Sequence, residues 1–315
     1  MARRLRIQYR GALYHIINRG NYRRDVFESV GAAEAFLQIL FEAAEKFGWK
    51  LHAYVLMRNH FHLAVETPEP SLAQGMHWLQ STLATRFNRF RQESGHLFQG
   101  RYKSLLVQDF AAMARVVDYI HLNPVRAKIV GPEQVKNYRW SSLPIFLKGS
   151  RPTSLMAADW LAARGGWKDD AEGWKAYEAY LVRVAQDGAR WERDGLAGLS
   201  AGWAIGTEAW KQSMARQHAQ LMLAPGLHRE EAQALRESLW QDTLEQGLAS
   251  VGKTPADLQS RPRKQPWKID LAQRIRDQSG ASMTWLAEAL QLGKPESLRS
   301  YLCRHKNAKK TRTPV

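Results

Sequence analysis

Cysteine is nearly absent from this chain of 315 residues, where Cys303 stands alone. A single thiol cannot close an internal disulfide and has no neighbours with which to build a thiolate zinc site, so disulfide-stapled scaffolds and zinc ribbons are excluded. Long apolar runs are missing as well. None reaches the roughly 20 residues that a membrane-spanning helix needs, and Gln8, Tyr9 and Arg10 break the basic start before an apolar leader can form. There is no internal repeat and no low-complexity tract. The expectation is a cytoplasmic chain with no membrane partner, long enough for two or three domains.

Acidic residues are scarce relative to basic ones. The chain has 30 Asp+Glu against 46 Lys+Arg, a formal net charge of +16, beside a 44% hydrophobic content that is ample for folded cores. Residues 1–150 carry 21 Lys+Arg against 11 Asp+Glu, residues 151–260 carry 12 against 15, and residues 261–315 carry 13 against 4. Two basic ends around a mildly acidic middle fit two modules that contact nucleic acid, joined by a segment that does not.

Against that background one stretch stands out, Arg58-Asn59-His60-Phe61-His62-Leu63-Ala64-Val65-Glu66. Its alternation reads as a strand, in which His60 and His62 project from one surface and Phe61 enters the core on the other. Two adjacent imidazoles make half a metal site, and completion by oxygen ligands would suit Mg²⁺ or Mn²⁺. Further on, Met113, Val116, Val117 and Ile120 recur at helical spacing, with Tyr119 and Asn123 one turn apart on the flank of that stripe. Pro124 places the helix end at or near Asn123. Together these elements would assemble a phenol nucleophile and a three-ligand metal centre; alone, Tyr119 reads as a half-buried aromatic and Asn123 as a helix-terminal residue. His121 falls on another helix face, and Glu66 reads as a strand-end surface carboxylate with a role beside the metal as the alternative. His15, His52, His77 and His96 lack ligand spacing.

Five ordered blocks resemble the REP-associated tyrosine transposases, a branch of the single-tyrosine HUH (IS200-like) family. They are Tyr14-His15-Ile16-Ile17-Asn18-Arg19-Gly20, Ala53 through His62, Gly95 through Ser104, Tyr119 through Ala127, and Tyr138-Arg139-Trp140-Ser141-Ser142. The resemblance implies that His60 and His62 are metal ligands and Asn123 the third. It also implies that Tyr119 cleaves single-stranded DNA, leaving a 5′-phosphotyrosine and a free 3′-OH. A single tyrosine in this setting would make two linked cuts through two subunits or by sequential use of one, so monomer and homodimer both stay open. The expected partner is single-stranded or hairpin DNA of the repetitive extragenic palindrome type. Alternatives are a regulator that binds such hairpins without turnover, and a metal-dependent phosphoesterase that uses water.

The predicted element order over residues 12–123, β-α-β-β-α-β, is that of a ferredoxin-like split β-α-β sheet within an α+β chain. Candidate DNA contacts are Asn18, Arg19, Arg23 and Arg24 after the first strand, and Arg86 and Arg89 on a long helix whose apolar face would be Leu79, Leu83, Phe87 and Phe90. Arg101, Lys103 and Arg126 complete the groove, with Phe98 or Tyr102 as base-stacking candidates. Residues 1–150 are taken as the HUH domain and 151–260 as a helical middle region of unknown role, its tryptophans in a core. Residues 261–315 are taken as a helix-turn-helix with a basic tail, Thr284 capping its second helix and Arg299 and Arg304 on its last.

Overall fold

Alternating apolar residues become strands in the first half of the chain, and short polar caps fix where its helices begin. The structure, a computed structural model, describes residues 7–187, most of 191–218, 229–259 and 265–310; the side chains of 229–235 and 303–310 lie outside the described set. It is a mixed α+β fold that divides into two units, Arg6–Thr207 and Glu208–Val315.

In the first unit, β1 (Ala12–Arg19), α1 (Val30–Phe47), β2 (Lys50–Met57), β3 (His60–Thr67), α2 (Leu72–Arg91) and β4 (Lys103–Val107) follow one another as predicted. Next comes α3 (Phe110–Arg126), which Asp109 caps by accepting from the Ala112 amide at 2.8 Å. The sheet order is β2-β3-β1-β4 followed by a fifth strand, β5 (Ala204–Ile205); it is antiparallel through its first four strands, and its β1 to β4 portion is the expected ferredoxin-like order. Only Arg58 and Asn59 separate β2 from β3, so this pair closes as a tight hairpin.

The helix carrying Tyr119 departs from expectation, because it continues past Pro124 to Arg126. A proline removes only its own N–H and crowds the carbonyl four residues back, so near a C-terminal end it costs one ladder bond. The end is then closed by the Ala127 amide donating to Asn123 and the Ile129 amide to Pro124, both at 2.9 Å.

Residues 151–260 divide between the two units. After α4 (Leu143–Lys148), helices α5 (Ala158–Gly165) and α6 (Ala171–Gln186) pack on α3. Trp160, Trp174, Tyr177 and Leu181 fill that core, as the sequence indicates. The chain then returns to the sheet as β5 (Ala204–Ile205), parallel to β4 and unforeseen within a stretch read as helical. Both sheet edges are covered by chain that follows the β-α-β-β-α-β core. β5 lines β4, while the outward main-chain groups of β2 bond to residues 140–142 and 154–156: Leu51 amide to Ser154, Met156 amide to Leu51, Ser142 amide to Tyr54 and Leu56 amide to Trp140, at 2.7–3.0 Å.

The second unit contains α7 (Glu208–Gln217), α8 (Arg229–Ser250), α9 (Pro266–Ser279), α10 (Met283–Ala289) and α11 (Pro295–Lys310). Leu244, Leu248, Leu271, Ile275, Leu286, Leu290 and Leu298 share one core there. The cap of α10 is Ser282, two residues before the expected Thr284, and it accepts from the Trp285 amide at 3.2 Å.

On its buried side α3 is fastened by polar contacts. Asp118 is fully buried, accepts from Tyr177 Oη at 3.0 Å and Tyr180 Oη at 3.1 Å, and forms an ion pair with Arg164, whose Nε lies 2.7 Å away. Since the Tyr177 hydroxyl proton goes to Asp118, its oxygen accepts from His121 Nδ1 at 3.0 Å; His121 Nε2 in turn accepts from Ser142 Oγ at 2.9 Å. Burial pushes His121 down to about 3, so it is neutral throughout the physiological range.

Two outcomes follow from this network. Asp118→Ala leaves Arg164 without its buried counter-charge and should lower the unfolding free energy by about 3–5 kcal/mol in denaturant titrations. The unfolded chain binds a proton at His121 near pH 6.5 that the folded chain refuses until about 3. Stability should therefore be complete above about pH 6.5 and fall as pH drops, with a shallower slope for His121→Gln in denaturant titrations at pH 7.5 and 5.

Candidate functional site

Strand alternation sends His60 and His62 to the sheet face on which α3 lies, and Phe61 to the opposite face, packed with Phe27, Phe36 and Phe98. Antiparallel partners share a face. Arg19 stands opposite His60, Ile17 opposite both His62 and Lys103, and His15 one alternation further along β1. His15, Arg19, His60, His62 and Lys103 therefore belong to one surface.

The imidazoles are close-set, with His60 and His62 ring centroids 5.2 Å apart and His15 and His62 stacked at 5.1 Å. All three are held below the ordinary histidine range and are neutral at pH 7. Burial, then the Arg19 charge, takes His60 to about 4; burial, then Lys103, takes His15 to about 4 against the opposing bond from Leu199. His62 lies well below its usual value through burial, with His15, His60, Arg126 and Arg19 adding to the effect.

Helix α3 brings the nucleophile candidate over these rings. The Tyr119 ring lies 5.5 Å from His62 and 5.7 Å from His15, edge to face. Asn123 and Arg126 follow at one and two turns on the same flank, and Arg126 reaches back so that its guanidinium carbon sits 4.9 Å from the Tyr119 centroid and 4.3 Å from Trp191. Had the helix stopped at Asn123, Arg126 would not share this flank.

Two features bear on whether a divalent ion fits. His60 Nδ1 lies 2.8 Å from Asn59 Oδ1, and the Asn59 Nδ2 donates to the Arg23 carbonyl at 3.2 Å, which fixes the amide orientation. His60 therefore carries its proton on Nδ1 and leaves the Nε2 lone pair bare, as a metal ligand requires. Asn123 is buried, and its Nδ2 has no hydrogen-bond partner among the described residues. An unmatched buried carboxamide is costly, and a half-turn of the amide would offer its oxygen, the end that can ligate, to an ion. Among the described residues no three His, Cys, Asp or Glu side chains gather as a metal cluster, so a third ligand beside His60 and His62 would have to be of another type, as an amide oxygen is. The residues fit the group.

Several candidates sit elsewhere. Asn18 is buried on the Phe61 face, its Oδ1 accepting from the Arg19 amide. Glu66 is not a surface carboxylate: it is buried and bound by Lys50 at 2.9 Å, with His52 at 3.4 Å. Phe98 and Tyr102 are core residues, and Phe90, expected in the core, is 85% exposed. Arg24 pairs with Glu93 and lies over Phe87, and Arg86 pairs with Glu42. Arg23, Arg89, Arg101 and Arg299 are on the surface, and the side chain of Arg304 lies outside the described residues. Tyr22, beside Arg23, is 94% exposed with a left-handed backbone at φ 51°.

Sequence reasoning passed over His15 and Trp191. His15 shares strand alternation with Ile17 and Arg19, but its proximity to His62 depends on the β1–β3 register. Nothing in the sequence links Trp191 to a tyrosine 72 positions earlier.

A model of the family described as IS200-like transposases matches residues 8–123, somewhat more than a third of the chain. Among solved structures, a REP-associated tyrosine transposase bound to a REP hairpin aligns at 18% identity, covering 51% of this chain and 93% of its own, with a TM-score of 0.40. A candidate transposase of Deinococcus radiodurans R1 aligns at 22% identity, covering 41% and 92%, with a TM-score of 0.28. No curated protein sequence matches the chain. The match to the IS200-like transposase model spans His60, His62, Tyr119 and Asn123.

Proposed function

We propose that the protein is a metal-dependent, site-specific endonuclease and strand transferase of the REP-associated tyrosine branch, which recognises hairpin-forming repeats and cleaves single-stranded DNA through Tyr119. The observation that carries this reading is the Tyr119 ring, 5.5 Å from His62 and under the Arg126 guanidinium, on a face that also presents His60 and Asn123. A divalent ion, Mg²⁺ or Mn²⁺, held by His60, His62 and Asn123 would polarise the scissile phosphate and offset the charge that grows on its oxygens.

The chain's own groups account for the remainder. The Tyr119 hydroxyl gives up its proton to solvent and its oxygen forms a bond to phosphorus, while the bond from phosphorus to the 3′-oxygen breaks and that oxygen takes up a proton, giving a 5′-phosphotyrosine and a 3′-OH. Because the link preserves the phosphodiester's energy, a returning 3′-OH can reverse the step without ATP. Arg126, Arg19 and Lys103 surround the histidines with positive charge that favours a phosphate backbone and disfavours imidazolium.

A second part of the DNA path is assigned to the exposed aromatics Tyr22 and Phe90. Around them stand Arg23, Arg89 and the Arg24 and Arg91 side chains that flank the Phe87 ring. Exposed rings among arginines stack unpaired bases without reading their sequence. In the second unit, α9, α10 and α11 are assigned as the helix-turn-helix, with Arg299 and Arg304 on the recognition helix, supported by the net charge of that segment.

Hairpin oligonucleotides from the DNA flanking the gene, labelled at either end and incubated with Mg²⁺, Mn²⁺ or EDTA, test the chemistry. A denaturant-resistant protein–DNA adduct is expected with metal, absent in EDTA and in Tyr119→Phe, while that variant keeps hairpin binding. Cleavage that survives Tyr119→Phe would mean water is the nucleophile, and tight binding without any adduct would mean a regulator. Replacing Tyr22 and Phe90 together with Ala should weaken single-stranded DNA binding about tenfold or more, since a stacked base is worth about 1–3 kcal/mol; fluorescence anisotropy reads the loss.

A further inference from the structure

The residues that follow the matched transposase segment contribute a group to its site. Leu199 is buried, and its main-chain oxygen lies 2.8 Å from His15 Nδ1. His15 Nε2 lies 3.0 Å from His62 Nδ1. We propose that this Leu199–His15–His62 chain is a tautomer relay, in which His15 acts as a positioning residue that keeps the proton of His62 on Nδ1 and its Nε2 lone pair turned toward the site. The proposal deepens, and rests on, the reading of His62 as a ligand.

The direction of the relay follows from what each atom can do. A carbonyl oxygen only accepts, so His15 Nδ1 carries hydrogen and donates to Leu199. A neutral imidazole has one N–H, which leaves His15 Nε2 as an acceptor. Its partner, His62 Nδ1, must therefore donate, and the lone pair that remains to His62 is on Nε2. The opposite arrangement needs a doubly protonated His15, a buried cation with Lys103 diagonally across the strand pair, which desolvation opposes. Stacking of the two rings, 27° from parallel, also fixes the rotation of the His62 ring. His60 has the equivalent arrangement through the Asn59 side chain, so both imidazoles are poised with Nε2 bare.

The carbonyl is kept at its station by β5. Trp203 accepts from the Leu106 amide and Ile205 from the Gln108 amide, each at 3.0 Å, and the Thr207 amide donates to Gln108 Oε1 at 2.7 Å. Leu196 and Leu199 are buried just before this strand. A two-residue strand adds little to sheet stability, and its position is explained by what it holds five residues upstream.

The test uses the full-length protein. In the metal-free wild type, nitrogen-15 NMR of the imidazoles should find both His15 and His62 protonated on Nδ1. Mn²⁺ titration followed by electron paramagnetic resonance should then show affinity about 10–100-fold weaker in His15→Leu, the range typical for removing such an outer partner, with recovery in His15→Gln, whose amide oxygen can accept from His62. A His62 protonated on Nε2 in the wild type overturns the relay on its own, whether or not either variant folds. So does a His15→Leu protein that keeps both the Nδ1 tautomer and wild-type Mn²⁺ affinity. If the wild type binds no Mn²⁺ but shows the Nδ1 tautomers, and His15→Leu loses that of His62, the relay stands and the ligand reading fails.

Discussion

Everything at the site depends on how firmly α3 is seated, and the seat is the buried carboxylate of Asp118. Its neighbour Tyr119 is about 100° away around the helix, so the residue that anchors and the residue offered for chemistry face different partners from adjacent positions. Asp118 and His121 face the helical layer, bound by Tyr177, Tyr180, Arg164 and Ser142, while Tyr119 faces the histidines. A buried charge held by two hydroxyl donors and a guanidinium has few alternative places to sit, which opposes rotation and sliding of the helix over the sheet. The placement of Tyr119 is thus set by residues on the side of the helix away from the histidines.

Charge around the imidazoles has a double effect. Cationic neighbours that favour phosphate also oppose imidazolium, and burial acts in the same direction, so the ring nitrogens remain lone-pair donors. A site that drew phosphate with protonated histidines would have no lone pair to offer an ion. Spreading the positive charge over arginine and lysine, which do not ligate, separates attraction of the backbone from coordination.

Much of the first unit could be read from the sequence because its periodicities are strong and its connections short. The strands carrying His15, His60 and His62 and the helix carrying Tyr119 lie where alternation and helical spacing put them, and the sheet order follows from the element order. What escaped was non-local. The β1–β3 register that sets His15 beside His62, the return of the chain as β5 and the approach of Trp191 to Arg126 each join residues far apart in sequence. Aromatics were misjudged for a related reason: Phe90 fits a helical stripe but lies exposed in the last turn of α2, whereas Phe98 and Tyr102 stand in a polar loop and turn inward. Pro124 misled because proline's effect depends on distance from the helix end, which the sequence leaves unspecified.

The covered edges of the sheet determine how copies of this chain can meet. An open strand edge presents unpaired amides and carbonyls that another strand can complete, the usual route to sheets running through two molecules and to fibrous aggregation. Here the outer rungs of β2 are taken by residues 140–142 and 154–156, and the far side of β4 by β5, itself only two residues long. A strand from a second copy that continued the sheet beyond β2 would first have to displace residues 140–142 and 154–156.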